Sequence, residues 1–427
     1  MALEQGAPFG LLGRTLGYSW SKQIHLRLGS APYDLIEREP DEAEAFLHTD
    51  GWSGLNVTIP YKQLAARVAD VRSPRVERLG VANTLVRQPD GAIMAENTDV
   101  LGFTWMLERF ARRCLGGSAR EALGGREALV LGTGGAAQAV RAALEDGPGC
   151  VVSLISRRGE DTYEGLAQRH PHAALIVNAT PVGTYPNCPT SPVPDETLAA
   201  LPELQAVIDV VYNPERTGIC LAAERLGIPS ESGLAMLVAQ AYHSSQLFQG
   251  RPLDEGLISQ IEADLRASQR NIVLIGMPGA GKTSTGRALA RLLHRPFIDL
   301  DDAFAVDTGV TAEQFIRQHG EEPFRERETK VAASYGRESG LVIACGGGIV
   351  TQPRNYDLIH QNGTIAFIDR PLYQLTSDGR PVSQLKGIER LANERMGLYR
   401  SWCDTQISCT GSASGDALLL KARLGFQ

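Results

Sequence analysis

The most constraining feature of this 427-residue chain is the octapeptide GMPGAGKT, which runs from Gly276 to Thr283. It matches the pattern GxxxxGK[ST] in full and lies between an apolar run, NIVLI, and a segment with helical spacing of apolar residues, TSTGRALARLL. In such a strand, loop and helix, backbone N–H groups turn toward phosphate oxygens, Lys282 reaches the terminal phosphates and the Thr283 hydroxyl ligates Mg²⁺. The motif predicts an α/β domain that binds ATP with Mg²⁺; a turn that only tightens a strand-to-helix connection is the alternative. The predicted ATP contacts in and just after the motif are Gly279, Ala280, Gly281, Lys282, Thr283 and Ser284.

A second glycine-rich turn, GTGGAA, begins at Gly132 and has the context of a dinucleotide site. The apolar run ALVL precedes it, AQAVRAAL follows with helical spacing, and a further apolar run, CVVSLI, ends just before Ser156. NAD enzymes usually carry Asp or Glu at that strand end, whereas Arg157 and Arg158 stand here and favour the 2′-phosphate of NADP. An ordinary turn followed by surface arginines is the competing interpretation. The residues predicted to contact NADP are Gly132, Gly134, Gly135, Ala136, Ser156, Arg157 and Arg158.

The length of the chain limits the number of domains, and its charge limits the kinds of binding partner. A chain of 427 residues predicts two to three domains of about 150 residues each. With 42 basic and 49 acidic residues, the net charge of −7 provides no sequence-wide cationic field for nucleic acid or an anionic membrane, so the expected partners are small-molecule substrates. Acidic residues dominate residues 1–267 and basic residues slightly exceed acidic ones in 268–427, which indicates two different surfaces. Oligomeric state is left open.

The spacing of cysteine and histidine residues argues against a disulfide-stabilised protein and against a zinc protein. The seven cysteines form no CxxC pair, which indicates neither a disulfide framework nor a zinc knuckle, and the eight histidines show no HExxH spacing. The start lacks a basic segment followed by an apolar one, and no apolar run approaches about 18 residues. We therefore expect a cytoplasmic protein whose only metal is the Mg²⁺ that accompanies ATP.

Two acidic residues that bear on the P-loop lie further along the chain, in the segment PFIDLDD. Asp299 and Asp301 stand two apart at the end of an apolar run, and on a strand both side chains would lie on one face near the P-loop. Asp299 is suited to holding Mg²⁺ through water, and Asp301 to accepting the proton of a substrate hydroxyl. A solvated turn is the alternative for this pair taken alone.

Together with GEEPFRERE, ACGGGIV, DGRP and NERMGLYR, these motifs make residues 271–427 resemble shikimate kinase. The resemblance implies that Arg325 and Arg395 clamp a substrate carboxylate and that Asp301 orients the ring hydroxyls. It also implies that the backbone of Gly346, Gly347 and Gly348 approaches the substrate. Arg380, on a mobile lid, would contact ATP and neutralise charge on the phosphoryl group, acting with Lys282 and Asp301 in catalysis. The lid stretch LTSDGRPVSQLKG is short, which leaves the adenine contacts open.

The first half carries another ordered set of motifs: YSWS, NVTIPYK, GVANTL, NTDVLGF, NATPVGTYPN and GLAMLVAQA. Any one of their short polar residues is readily explained by turns and caps, but the set makes residues 8–266 resemble shikimate dehydrogenase. The resemblance implies a catalytic pair of Lys62 and Asp99 and a cofactor contact at Gly233. The implied substrate contacts are Ser19, Ser21, Thr58, Asn83, Asp99, Tyr212 and Gln240. Around the serines, GRTLGYSWSK departs from the family form at Thr15, Tyr18 and Lys22.

The sequence thus predicts an α/β protein in three parts: a substrate domain at 1–102 with 234–266 folding back onto it, a Rossmann NADP domain at 103–233, and a P-loop kinase domain at 268–427. The predicted function is bifunctional: NADPH-dependent reduction of 3-dehydroshikimate to shikimate, then ATP-dependent phosphorylation to shikimate 3-phosphate. The alternatives are a kinase-like module that binds without turnover and a first half that oxidises quinate or a related acid, with NAD or NADP.

Overall fold

The computed structural model describes residues 8–17, 19–159, 161–375 and 387–426. The chain divides into two compact units. The first comprises residues 1–184, 190–213 and 219–265, and the second comprises residues 185–189, 214–218 and 266–427. In the part of the chain that is described, each helix is either too short or too polar to cross a membrane.

The first sheet of the first unit holds six short strands and supports the polar residues of the N-terminal half. Its strands are β1 (Phe9–Gly13), β2 (Tyr33–Glu37), β3 (Gly54–Val57), β4 (Val71–Arg72), β5 (Thr84–Arg87) and β6 (Ile93–Glu96). The order across the sheet is β2-β1-β3-β5-β6-β4, parallel at β1 and antiparallel along β5. The register sets Asn56 opposite Thr84, so that two motif segments distant in sequence meet across one strand pair.

The second sheet of this unit is parallel throughout and has the topology of a dinucleotide fold. Its strands are β7 (Glu127–Leu131), β8 (Val151–Ile155), β9 (Ala173–Asn178), β10 (Ala206–Asp209) and β11 (Ser230–Glu231). They are ordered β11-β10-β9-β7-β8, so the glycine turn after β7 lies at the carboxyl edge between β8 and β9. Strands β9 and β10 are wholly buried, as expected for a sheet covered by helices on both faces.

Helices complete the first unit and carry several of the predicted site residues. They are α1 (Ser21–Arg27), α2 (Pro40–Leu47), α3 (Lys62–Val68), α4 (Pro74–Leu79), α5 (Thr98–Cys114), α6 (Ala119–Leu123), α7 (Gly135–Asp146), α8 (Leu166–Arg169), α9 (Asp195–Ala199), α10 (Gly218–Arg225), α11 (Leu234–Gln249) and α12 (Gly256–Gln269). The long helices α5 and α11 pack against each other, and α11 also contacts α1 and β5. Helix α11 is largely buried, which explains its nearly continuous apolar sequence.

The second unit is a third, fully parallel sheet with its own apolar core. Its strands are β12 (Asn271–Ile275), β13 (Phe297–Asp299), β14 (Val342–Ala344), β15 (Gly363–Asp369) and β16 (Thr405–Ser408), in the order β13-β14-β12-β15-β16. Its helices are α13 (Lys282–Leu293), α14 (Leu300–Thr308), α15 (Ala312–His319), α16 (Glu321–Gly336), α17 (Asn355–His360), α18 (Ile388–Trp402) and α19 (Ala413–Arg423), with short 3₁₀ turns at Ile349–Thr351 and Leu372–Gln374. The predicted α/β class, with a P-loop domain after a Rossmann-type half, is confirmed.

Candidate active sites

The central pair of the first half is Lys62 with Asp99. Lys62 opens α3 and Asp99 lies in the first turn of α5, and the lysine Nζ donates to Asp99 Oδ2 at 2.6 Å. The two side chains are only 16% and 10% exposed, so the ion pair is held in a sheltered position. A carboxylate in the first turn of a helix is also stabilised by the helix dipole. An ammonium fixed in this way can deliver or accept a proton at one defined place.

Asn83 fixes the second oxygen of Asp99. Its Nδ2 donates to Asp99 Oδ1 at 2.9 Å, while its Oδ1 accepts from the backbone N–H of Thr98 at 2.7 Å. Because the carbonyl oxygen is occupied by Thr98, the amide nitrogen has to face the carboxylate. The same nitrogen lies 3.3 Å from Gln240 Oε1 on α11, so four of the predicted residues are joined by direct hydrogen bonds.

A buried hydroxyl cluster backs this group, and sequence reasoning missed its centre. Ser244 Oγ on α11 accepts from Asn56 Nδ2 at 2.8 Å and lies 3.0 Å from the hydroxyls of both Thr84 and Thr98. Ser244 itself is fully buried. No sequence signal marked it, because a serine inside an apolar helix pattern reads as an ordinary small core residue.

The predicted residues nearer the N-terminus form a second group. Ser19 Oγ donates to Ser21 Oγ at 3.1 Å, and Tyr212 lies beside them with its ring centroid 5.1 Å from that of Trp20. Burial raises the pKa of Tyr212, while hydrogen bonds with the Trp20 backbone and the Ser19 side chain oppose the shift. Thr58 follows β3, its backbone N–H bound to the carbonyl of Leu12.

The glycine turn of the second sheet fits a dinucleotide phosphate. Gly132 adopts φ +112, a left-handed conformation that side chains rarely take, and Gly134 is the N-cap of the twelve-residue helix α7. No side chain caps α7, so its first N–H groups are left for an anion. A Cβ on Gly135 would lie 3.4 Å from Cδ of Lys62, which places Lys62 beside this turn. Ala136 continues the first turn of the helix.

The other predicted cofactor residues follow β8 and precede α11. Arg157 and Arg158 are exposed just beyond the end of β8, and Ser156 Oγ donates to the carbonyl of Arg158 at 2.6 Å. This arrangement leaves two guanidinium groups at the strand end where a 2′-phosphate would be read. At Gly233, a Cβ would overlap the carbonyl of Val210, so close backbone packing accounts for this glycine.

The P-loop of the second unit adopts the expected strand, loop and helix. Gly279 and Gly281 have φ +84 and +97, and Lys282 Nζ donates to the carbonyls of Gly276 and Met277 at 2.9 and 3.0 Å. Thr283 Oγ1 donates to Asp299 Oδ2 at 2.7 Å. Hydroxyl and carboxylate oxygens fit Mg²⁺, which keeps most of its ligands as water and phosphate. Ala280 lies in the loop just before α13, and Ser284 lies in the first turn of that helix.

Asp301 lies on a different element from the one expected. The strand ends at Asp299, and Asp301 occupies the first turn of α14 with its backbone N–H bound to Asp299 Oδ1 at 3.0 Å. The expectation that both aspartates share a strand face is therefore wrong, because the Asp299 carboxylate caps the following helix and ends the strand. Both side chains still line one cavity of about 870 Å³ beside the P-loop.

The same cavity is also lined by the two arginines predicted to bind the substrate, Arg325 and Arg395. Arg325 on α16 donates to Glu328 Oε2 at 2.7 Å, and Arg395 on α18 donates to the carbonyl of Gly347 at 3.0 Å. Burial raises the pKa of Glu328, while Arg325 opposes the shift. The three glycines are explained by close approach: a Cβ at Gly348 would overlap the Arg325 guanidinium. The cavity also touches Lys282, Thr283, Gly346 and Gly347.

One predicted residue lies outside the described part of the chain, and one residue that the prediction omitted faces Arg325. Arg380 lies outside the described residues, as does the short lid stretch around it. Glu328, which faces Arg325, was contained in a quoted motif but not singled out, because an acidic residue one helical turn after an arginine usually indicates only a surface pair. Fold and geometry together define an enzyme with a Rossmann-type half and a P-loop half.

Comparisons with known proteins agree with both halves. A model of the shikimate dehydrogenase substrate binding domain matches residues 11–85, and a shikimate kinase model matches residues 278–421. The NADP(+) shikimate dehydrogenase of Clostridium perfringens is 31% identical over 279 residues, spanning 60% of this chain and 98% of the relative. A crystal structure of a chorismate mutase/shikimate 5-dehydrogenase fusion protein from Clostridium acetobutylicum matches at 30% identity and TM-score 0.54, covering 61% of this chain and 97% of that one. Quinate dehydrogenase from Corynebacterium glutamicum in complex with NAD matches at 25% identity and TM-score 0.51, covering 61% and 97%.

The chain therefore belongs to the shikimate dehydrogenase family and carries a shikimate kinase domain after it. The predicted resemblances of both halves are confirmed. The precise domain limits and the roles of individual site residues stay predictions.

Proposed function

We propose that this single chain catalyses two consecutive steps: NADPH-dependent reduction of 3-dehydroshikimate to shikimate, then transfer of the ATP γ-phosphoryl group to the shikimate 3-hydroxyl. The observation that carries the proposal is the presence of two candidate catalytic pairs, Lys62 with Asp99 and Lys282 with Asp301, in one chain whose halves match consecutive enzymes. A chance fusion of unrelated families would lack this relation between product and substrate. We place the substrate domain at 1–102 with 234–266, the NADP domain at 103–233 and the kinase at 268–427.

In the reduction, the chain's own residues handle the proton. When bound, NADPH supplies a hydride to the carbonyl carbon of the substrate. Lys62 donates a proton to the developing alkoxide oxygen, and Asp99 holds the ammonium in place through the 2.6 Å ion pair. Asn83 and Gln240 orient this pair, while Ser19, Ser21, Thr58 and Tyr212 bind the carboxylate and hydroxyls of the substrate. Arg157 and Arg158 hold the 2′-phosphate.

In the phosphorylation, a buried carboxylate accepts the proton of the substrate hydroxyl, and basic side chains bind the substrate carboxylate and the phosphates. Asp301 takes the proton of the attacking hydroxyl, and Arg325 and Arg395 bind the substrate carboxylate. Lys282 and the loop N–H groups hold the terminal phosphates, while Thr283 and Asp299 hold Mg²⁺. Arg380 stabilises the negative charge of the transferring phosphoryl group with its guanidinium.

A coupled assay on the full chain tests both steps at once. Supplied with 3-dehydroshikimate, NADPH and ATP with Mg²⁺, the wild type should form shikimate 3-phosphate. Lys62→Ala should stop at 3-dehydroshikimate, and Lys282→Ala should accumulate shikimate, each losing its own step by about 10²-fold or more. The exposed Lys330→Ala is the matched control and should resemble the wild type. Phosphate-ester formation that survives Lys282→Ala unchanged would contradict the catalytic assignment of the P-loop site.

Cofactor choice tests the assignment of the first half. Arg157→Ala combined with Arg158→Ala should lower kcat/KM with NADPH by at least tenfold and leave the rate with NADH nearly unchanged, because only the 2′-phosphate contact is lost. Rates with shikimate and with quinate, each with NAD and NADP, complete the comparison. A wild type that prefers quinate with NAD would point to the catabolic alternative. Arg141→Ala, on the exposed face of α7, serves as the control.

A further inference from the structure

An arginine that the sequence motifs do not include lies against the P-loop. Arg370 directly follows β15, and a Cβ on Gly281 would lie 3.4 Å from its Nη2 and 3.7 Å from Ser284 Oγ. Gly281 and Ser284 flank Lys282 and Thr283 of the motif at the start of α13. A guanidinium therefore stands beside the same turn that is expected to surround phosphate oxygens.

The positive charge of Arg370 is not balanced by the described parts of the chain. Its Nε is buried without a hydrogen-bond partner, and no carboxylate among the described residues forms an ion pair with it. Its polar neighbour is the thiol of Cys409, whose pKa burial raises and the Arg370 hydrogen bond lowers in part. A neutral thiol does not compensate a guanidinium, and a partly buried cation is costly unless an anion pairs with it.

The order of the strands indicates which part of the nucleotide lies beside the Arg370 guanidinium. Asp299 follows β13 and Gly346 follows β14, both on one side of the central strand β12, whereas Arg370 follows β15 on the other side. Of the residues assigned to the acceptor, Asp301, Arg325 and Gly346 follow β13 or β14, so the terminal phosphate faces the first side. Arg395, on α18, reaches that side through its contact with the carbonyl of Gly347. The rest of the nucleotide then extends toward β15, and the phosphate nearest the nucleoside lies on the side of Arg370.

We propose that Arg370 is a further nucleotide-binding residue that pairs with the phosphate nearest the nucleoside, the α-phosphate of ATP and ADP. The proposal rests on the proposed kinase function and adds a residue to its ATP site. Guanidinium groups bind phosphate with paired, planar hydrogen bonds, which lysine does not reproduce. Arg370 thereby supplies a nucleotide contact from the sheet itself, independent of the short lid stretch.

Ligand binding to the full chain tests the proposal without turnover. In binding titrations in the presence of Mg²⁺, Arg370→Ala should weaken the affinity for ADP and for AMP by the same factor, about tenfold or more. The affinity for adenosine should stay unchanged. Arg370→Lys should recover part of the loss. Arg354→Ala is the control, since Arg354 belongs to the same unit but forms an exposed pair with Glu326. In steady state, KM for ATP should rise while KM for shikimate stays constant.

Three results would overturn the proposal: unchanged affinity for ADP, an equal loss for adenosine, which would indicate stacking on the base, or a loss for ADP without one for AMP. Arg370→Gln keeps the three carbons of the side chain and a polar end without the charge, and it replaces the alanine variant if the alanine variant melts at a lower temperature than the wild type in the absence of ligand. If the wild type binds ADP but does not phosphorylate shikimate, the proposed function fails while the assignment of Arg370 is still measured.

Discussion

At the scale of single residues, Asp301 is an acid of the kinase cavity whose pKa is strongly shifted. Burial, reinforced by the neighbouring carboxylates of Asp299 and Glu328, raises its pKa to about 6. Lys282 opposes this shift only in part. A carboxylate with this pKa is still ionised at neutral pH but binds a proton better than an ordinary aspartate, which suits the role of proton acceptor proposed for Asp301.

The raised pKa predicts an acid limb specific to the kinase activity. The kcat/KM for phosphorylation should fall tenfold per pH unit below about pH 6, because the protonated acid cannot accept the hydroxyl proton. Initial rates of ADP release between pH 5 and 8 measure it. Dehydrogenase rates of the same samples report whether the chain stays folded. A flat kinase profile down to pH 5 would contradict the role of Asp301.

The same carboxylate should cost stability when it is ionised. Its folded-state pKa lies above the ordinary 3.8, so the folded form holds the proton more tightly, and the favourable contribution present below pH 3.8 is lost as pH rises through about 6. Asp301→Asn should therefore abolish phosphorylation yet raise stability by up to about 3 kcal/mol at pH 8, from about 1.4 kcal/mol per pKa unit. Thermal melting at pH 8 and pH 5 measures it. The gain should shrink at pH 5, and an equal gain at both values would point to another cause.

At the scale of elements, the contact between α5 and α11 aligns the two sides of the dehydrogenase site. Asp99 lies in the first turn of α5 and Gln240 on α11, and the two helices meet closely at Gly102. A Cβ on Gly102 would lie 2.8 Å from the backbone N–H of Gln240 and the carbonyl of Met236. The glycine is therefore required by backbone approach between helices, not by an unusual φ.

A methyl group at this contact should separate the helices. Gly102→Ala should destabilise the first unit by about 1–3 kcal/mol and lower kcat of the reduction, because Asp99 and Gln240 no longer keep their spacing. Melting and steady-state kinetics measure both effects. The control is Gly397→Ala on α18, where a Cβ meets nothing within 4 Å and should be neutral or stabilising by up to about 1 kcal/mol. A Gly102→Ala enzyme with unchanged kinetics would show that the contact does not position the site.

At the scale of the whole molecule, motifs that keep their chemistry within one strand, loop and helix could be predicted from the sequence. The turns at Gly132 and Gly276 and the parallel sheets behind them belong to this class. Residues brought in by distant segments could be predicted only where the family resemblance named them, as for Lys62 with Asp99. Ser244 and Arg370 could not, because their neighbours lie far away in the chain and no local motif includes them. Local spacing carries no information about which helix or strand end will face a site, because that depends on sheet order.

The division into two compact units predicts that each nucleotide protects its own half. A ligand stabilises only the structure it binds, by about 2.7 kcal/mol at one hundred times its Kd. In hydrogen exchange read by mass spectrometry, NADPH alone should slow amides around Gly132 to Asp146, and ADP with Mg²⁺ alone those around Gly276 to Leu293. Lys282→Ala should weaken only the second effect. If ADP slowed exchange in the first segment as strongly as in the second, the two units would unfold as one cooperative body. A ligand bound to either unit would then stabilise both of them against unfolding.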